Sequence, residues 1–205
     1  MDRRTFLLAA LASPAPAQLP GSLDARRGVH PRLFLTAERV AKRWSVSRVD
    51  QDQYAYESHA KAARALERGA FTDQIVAVPT ESGAVTADEG IRRGTTAEKL
   101  AALKPAFADD GVIHAGNSSQ ISDGAAALLV TTAENAARQG WTPIARYRAG
   151  VVTGADPVLM LTGPIPATDK VLRKAGLGVA DIGVFEVNEA FAPVPLAWLA
   201  ETGAD

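Results

Sequence analysis

Val184-Phe185-Glu186-Val187-Asn188-Glu189-Ala190-Phe191-Ala192 is the stretch on which the reading of this chain turns. Val184, Phe185 and Val187 are β-formers, so the run begins as a short apolar strand. Asn188 and Glu189 interrupt it where a strand ends. Leu196, Ala197, Trp198 and Leu199 then supply an apolar helical stripe. In open α/β sheets, ligands sit outside the carboxyl ends of strands, so polar residues at such a corner are site candidates. The same pair also fits a plain helix start, with Asn as N-cap and Glu in the first turn.

The segments before this corner alternate between helix and strand. Thr36 can cap a helix over Ala37 to Trp44, with apolar residues at Ala37, Val40, Ala41 and Trp44. Ser47, with Asp50 three residues on, can cap a second helix whose face is Tyr56, Ala60, Ala63 and Leu66. Gly69 closes it. Gln74 to Val78 reads as a strand and Thr80 to Gly90 as a loop. Thr95 and Glu98 offer a capping box before a short helix that Pro105 ends. Gly111 to His114 reads as a brief strand. Ala125 to Val130 fits a strand buried on both faces. Thr132 to Gly140 reads as a helix, Ile144 to Val152 as a strand, and Thr168 as the cap of a helix over Asp169 to Ala175 that Gly176 ends. This alternation argues an α/β fold.

Composition narrows the function. The 205 residues suffice for one domain or two small ones, and 47% hydrophobic with 22% charged residues is ordinary for a globular protein. A net charge of −1 gives no case for nucleic acid or an anionic membrane. No run approaches the roughly 20 apolar residues of a stable membrane span. The chain has no cysteine, which excludes disulfides, thiolate metal sites and a cysteine nucleophile within it. His30, His59 and His114 are far apart in sequence, so a metal site of sequence neighbours is not expected. His59, on the second helix, reads as a surface or packing residue.

Residues 1–18 read as an export signal or a frayed helix: Arg3-Arg4-Thr5-Phe6-Leu7 resembles a twin-arginine core, and Ala15-Pro16-Ala17 fits a cleavage site. Residues 13–30 are a Pro, Ala, Gly and Arg-rich linker. His30-Pro31-Arg32-Leu33-Phe34-Leu35-Thr36 resembles the start of some exported heparinase-like polysaccharide lyases. Residues 1–35 therefore read as foreign to the rest of the chain.

Four ordered motifs carry a second resemblance. Asn188-Glu189-Ala190-Phe191-Ala192 resembles the NEAF motif of thiolases, the acetyl-CoA acetyltransferases and 3-ketoacyl-CoA thiolases. Gly116 to Ser119, with Asp123-Gly124-Ala125-Ala126-Ala127, is similar to the family's GNSS/A and DGAAA segments. Gly163-Pro164-Ile165-Pro166-Ala167 resembles its GPIPA segment. Thr36-Ala37-Glu38, Ser47-Arg48, Gln51-Asp52 and Ser58-His59 resemble its TAE, SR, QD and S(H/Q) run.

The resemblance implies part of a layered αβαβα thiolase fold. Residues 36–124 would be the remainder of the N-terminal half with its coenzyme A-binding loop region. Residues 125–205 would cross into the C-terminal domain. It also implies a coenzyme A thioester as substrate, no permanently bound cofactor, a homo-oligomer (dimer or tetramer) and a cytoplasmic location, against which the twin-arginine-like start offers export. Charge develops on a thioester oxygen in the family's reaction, and preorganised donors must meet it. By resemblance Asn188 orients the water that does so, with Glu189 a structural neighbour. Arg92 matches an arginine facing the coenzyme A nucleotide, chemistry that a guanidinium suits. Phe107, Ala115 and Ser119 match pantetheine- and nucleotide-lining positions, and Ala190 and Phe191 match the wall beside the thioester. Lys99 stands where some members place a serine against coenzyme A, so that contact is not carried over.

The departures bear on mechanism. The family holds its acyl group on a cysteine and moves the α-proton with a second cysteine, beside a GHP histidine. None of the three has a match here, so the chain alone is expected to be inactive, with strands short of sheet partners and apolar faces exposed. Alternatives are a non-catalytic acyl-CoA- or lipid-binding module, or an exported protein defined by residues 1–35.

Overall fold

The computed structural model describes residues 31–204. The twin-arginine-like start and the linker over residues 13–30 lie outside the described residues. In chain order come helix α1 (Pro31–Arg43), helix α2 (Arg48–Glu67), strands β1 (Val78–Thr80) and β2 (Gly83–Val85), and helices α3 (Ala97–Ala101), α4 (Ala133–Gln139), α5 (Pro164–Ala175) and α6 (Pro193–Thr202). Single 3-10 turns, Met160–Thr162 and Val179–Asp181, flank α5.

The core sits where α1 crosses α6. Proline is tolerated in a first helical turn, where no N–H is needed, and Pro31 and Pro193 open these two helices. Thr36 therefore lies inside α1 and is not its cap; its hydroxyl donates to the Val158 carbonyl at 3.1 Å. Ala37, Val40 and Ala41 are buried on α1, and Val194, Ala197 and Trp198 on α6. Ala37, Ile113, Phe191 and Val194 form a buried cluster, with Phe107, Val112, Leu161 and Ala190 packed against it. Burial of Val40, Ile113 and Phe191 contributes roughly 1.5–3 kcal/mol each. Trp44 Nε1 donates to Glu201 at 2.7 Å and ties the far ends of the two helices.

α5 packs beside α6. It starts one turn earlier than its sequence predicts, because Pro164 at the first helical position sets its start. Thr168 is thus interior: it donates to the Pro164 carbonyl at 2.9 Å and accepts from Trp198 Nε1 at 2.8 Å. The α6 start is also displaced. Asn188 and Glu189 precede it, and the N-cap position is Ala192, so neither polar residue caps the helix.

α2 follows its sequence closely. Ser47 Oγ accepts from Asp50 N at 3.1 Å, and Asp50 Oδ2 accepts from Ser47 N at 3.1 Å, a complete capping box. Its buried face differs from the expected one. Gln51, Asp52 and Ala55 point inward, while Tyr56 is exposed. α3 is capped by Thr96, one residue later than expected; Thr95 instead donates to the Arg92 carbonyl at 2.8 Å. α4 is capped by Thr132 and closed by Gly140, as its sequence predicts.

The paired strands are a small antiparallel hairpin, Val78 opposite Val85 and Thr80 opposite Gly83, so the strand expected over Gln74 to Val78 is shifted toward its turn. The strands expected over 111–114, 125–130, 144–152 and 184–187 form no ladders among the described residues. A strand exists only through inter-strand bonds, and none of these stretches faces another of them in register. Residues 111–114 are nevertheless held: the Glu38 carboxylate of α1 accepts from Val112 N and Ile113 N at 3.0 Å each. Arg148 donates to the Ala175 carbonyl at the α5 C-terminus at 3.0 Å. Leu128, Leu129, Val130, Ile144 and Val152 are exposed.

Candidate functional site

The site is built on the polar face of α2. Arg48 and Asp52 lie at i, i+4, so they meet on one side of the helix; Arg48 Nε donates to Asp52 Oδ2 at 2.9 Å. Arg48 Nη2 also donates to the carbonyls of Leu100 (2.7 Å) and Leu103 (3.0 Å), which locks α3 onto α2. The other oxygen of Asp52 lies 2.6 Å from Nε2 of His114, which is fully buried. His114 Nδ1 accepts from Gly116 N at 3.0 Å. An Nδ1 that accepts is unprotonated, so Nε2 carries the proton and donates to Asp52. Burial pushes the His114 ring below the usual histidine range, against the pull of Asp52.

His114 opens a tight corner over residues 114–119. Asn117, also buried, accepts from His114 N at 2.9 Å and donates to the Val112 carbonyl at 2.9 Å. Ser118 Oγ donates to the His114 carbonyl at 2.8 Å. Gly116 is required for close approach: a Cβ there would meet the side chains of Leu100 and Leu103 and stand 3.0 Å from the His114 ring.

This corner is stitched to the 184–192 segment. Ser119 N donates to the Ala190 carbonyl at 2.9 Å and Ala192 N to the Asn117 carbonyl at 2.9 Å, with Ser118 and Phe191 bridged between them. Glu189 is gripped from α2: Tyr54 Oη donates to one carboxylate oxygen at 2.7 Å and Ser58 Oγ to the other at 2.8 Å. Burial, then the Glu189 carboxylate, pushes the Tyr54 phenol far above its usual range.

Two clefts open on either side of this seam. One, of about 320 Å³, lies between α2 and the corner and is lined by Tyr54, Ser58, His59, Asp88, Ser119 and Glu189 among others. The second, of about 480 Å³, lies against α5 and α6 and is lined by Ser119, Thr168, Phe185, Asn188, Glu189 and Trp198 among others. Ser119 and Glu189 stand in the wall common to both. At the edge of the first, Arg92 Nη2 donates to Gln120 Oε1 at 3.1 Å, and Arg92 N donates to His59 Nδ1 at 3.3 Å. Burial, and secondarily the Arg92 charge, lowers the His59 pKa; Glu189 opposes both. Among the described residues no group of three His, Asp or Glu is arranged to hold a metal ion.

Residues 25–134 match the thiolase N-terminal domain, and residues 141–205 match the thiolase C-terminal domain. The chain belongs to the thiolase family. The first match begins inside the segment that reads as foreign. The chain is 47% identical over 189 residues to an acetyl-CoA acetyltransferase of Paracoccus denitrificans, covering 90% of this chain and 48% of that protein. It is 45% identical over 183 residues to a 3-ketoacyl-CoA thiolase of Bacillus subtilis, covering 83% and 47%. The structure of a Bacillus anthracis acetyl-CoA acetyltransferase superposes with a TM-score of 0.81 at 41% identity, covering 84% of this chain and 45% of that one. Human mitochondrial 3-ketoacyl-CoA thiolase in complex with CoA superposes with a TM-score of 0.79 at 36% identity, covering 84% and 44%. The chain thus spans about half the length of the thiolases it matches, and its fold is the corresponding part of the thiolase α/β fold.

Among the residues expected in the site, Ser119 and Asn188 line clefts, and Arg92 joins them through Gln120. Ala190 and Phe191 carry the seam; Phe191 is buried, and Ala190 packs on the same core. Phe107 packs on that core too, behind the seam. Ala115 is exposed next to His114. Sequence reasoning missed the grip of Tyr54 and Ser58 on Glu189, the cleft position of His59 and the buried Asp52–His114 pair. The one signal for the pair was Gln51-Asp52, two polar neighbours where α2 needs a buried face.

Proposed function

We propose that residues 36–204 supply the coenzyme A side and the asparagine corner of a thiolase-type acyltransferase, one that condenses acetyl-CoA or thiolyses 3-ketoacyl-CoA. Residues 36–124 belong to its N-terminal half and 125–205 to the start of its C-terminal domain. The reading rests on the seam: two main-chain bonds hold Ser119 beside the 188–192 segment, with Ser119 and Glu189 in the wall between two clefts and Asn188 lining the second. Coenzyme A enters as substrate, in no permanent cofactor role. Arg92 meets its phosphates or adenine, Ser119, Ala115 and Phe107 stand on the side of its pantetheine arm and nucleotide, and Ala190 and Phe191 form the wall beside the thioester. Asn188 orients a water toward the thioester oxygen, using a neutral amide that costs less to desolvate than a charge. A cytoplasmic location follows from the substrate pool, and a homo-oligomer follows from the family's dimers and tetramers.

The absence of cysteine within these 205 residues favours a second reading, acyl-CoA binding without turnover by the chain itself. Calorimetric titration of the full chain with coenzyme A tests what both share. Saturable binding is expected, weakened about tenfold by Arg92→Ala, the effect of losing one charge-assisted hydrogen bond. No heat of binding at millimolar coenzyme A overturns both. Acetoacetyl-CoA thiolysis by the chain alone should be absent; measurable turnover would overturn the requirement for a cysteine.

A further inference from the structure

We propose that His114 is a positioning residue: as a neutral Nε2–H imidazole it holds the 115–119 corner on α2, so its ring state sets where Ser119 stands between the two clefts. The proposal rests on the acyltransferase reading only in taking Ser119 to face coenzyme A.

The ring joins α2 to the corner through both of its nitrogens, beside Asn117, whose Nδ2 donates to Gln51 Oε1 and Asp52 Oδ1 at 3.5 Å each. Nε2 reaches Asp52 at 2.6 Å and Nδ1 receives the Gly116 amide at 3.0 Å. Its own backbone extends the hold, accepting from Ser118 Oγ and donating to Asn117 Oδ1. From there two main-chain bonds run to Ala190 and Ala192. The packing leaves no slack, because Leu100 and Leu103 press on Gly116 from the α3 side.

The charged groups around the ring are few and fixed. Asp52 favours the imidazolium, Arg48 beside it opposes it, and Glu38 of α1 is engaged by the amides of Val112 and Ile113 just before the ring. Burial of a ring with no exposed surface favours the neutral form and outweighs Asp52. Protonation of Nδ1 would set an N–H against the Gly116 N–H. The amide would lose its acceptor, and a buried unpaired donor is unfavourable enough to move the corner.

The test is a long-range proton–nitrogen correlation spectrum of the 15N-labelled full chain. At pH 7.5 the His114 ring should show a protonated Nε2 and a bare Nδ1, and should stay so as pH falls past the usual histidine value near 6.5. At lower pH the ring should charge, and the Gly116 and Ser119 amide resonances should move with the same midpoint. His114→Asn keeps an oxygen acceptor near the Nδ1 position but loses the tie to Asp52, so it should displace the Ser119 resonance less than His114→Ala and abolish the pH step. His114→Ala should displace the resonance at every pH. An Nδ1–H or charged ring at pH 7.5 overturns the proposal. So do amides that ignore the ring's titration, or a His114→Asn variant as disturbed as His114→Ala. The tautomer is read on the unmodified chain, so a variant that fails to fold does not remove the test. Coenzyme A titrated over the same range should lose about tenfold in affinity across that midpoint, and lose none in His114→Asn. Unchanged affinity while the amides move overturns the facing of Ser119 toward coenzyme A, and with it the link from the ring to binding. A chain that takes up no coenzyme A at any pH overturns the acyltransferase reading, while the ring and amide resonances still decide the role of His114.

Discussion

Asp52 accepts on both oxygens of one buried carboxylate, from the Arg48 guanidinium on one and from the neutral His114 N–H on the other. Truncating it leaves a mostly buried guanidinium without its carboxylate and a buried N–H with no acceptor. Asp52→Ala should therefore lower stability by about 3–5 kcal/mol, the range for breaking a buried pair from one side, seen as a fall in the urea midpoint. Asp52→Asn keeps an acceptor for His114 and should lose less. Glu189 is a different case, since its carboxylate is exposed and its partners come from α2. Tyr54→Phe removes one of them and should lower stability by about 1 kcal/mol. Spectrophotometric titration offers a direct check. The Tyr54 phenol should resist ionisation well beyond free tyrosine, and Glu189→Gln should bring it down, though not fully, because burial is the larger cause.

α2 is the element on which the rest is hung. Its capping box fixes where Arg48 and Asp52 fall on the helix, so the cap bears on the site as well as on the helix end. Ser47→Ala should lower stability by about 1 kcal/mol and also raise exchange at the Gly116 amide, measurable by hydrogen exchange. This helix is legible in the sequence because Ser47, Asp50 and Gly69 are local signals that act within a few residues. α4 is legible for the same reason, through Thr132 and Gly140. The starts of α5 and α6 are not, because Thr168 and Asn188 are good caps, yet Pro164 and Pro193 set the helix starts. The four absent strands have plausible β composition at Val184 to Val187 and Ile144 to Val152. Composition cannot supply the partner that a ladder requires. For the site, the motifs locate the seam, but no periodicity announces that a histidine and an aspartate 62 positions apart will share a proton.

At the scale of the whole molecule, two properties depend on which groups are buried and which are not. His114 and His59 both have folded pKa values below the unfolded value near 6.5. The unfolded chain then binds more protons between the two values. Stability is full above about pH 6.5 and is lost as pH falls through the lower folded values, ahead of the acid window in which the capping carboxylates of Asp50 and Glu98 are protonated. The melting temperature should fall between pH 7.5 and 5.5, and His114→Asn should flatten that slope. The second property is exposed apolar surface. Leu128, Leu129 and Val130 are each more than 70% exposed in one run, and Ile144 and Val152 more than 90% in another. Both runs carry β-forming side chains without ladder partners among the described residues, the combination that templates edge-to-edge pairing. The mass of the isolated chain in sedimentation should therefore rise with concentration. Val130→Lys with Ile144→Lys should shift it toward monomer, since a charge on each run opposes pairing. Neither residue touches the Asp52–His114 network or the seam, so the melting temperature should stay within a few degrees. A double variant that still associates as strongly would place the contact elsewhere, on the α1 or α6 surface away from these runs.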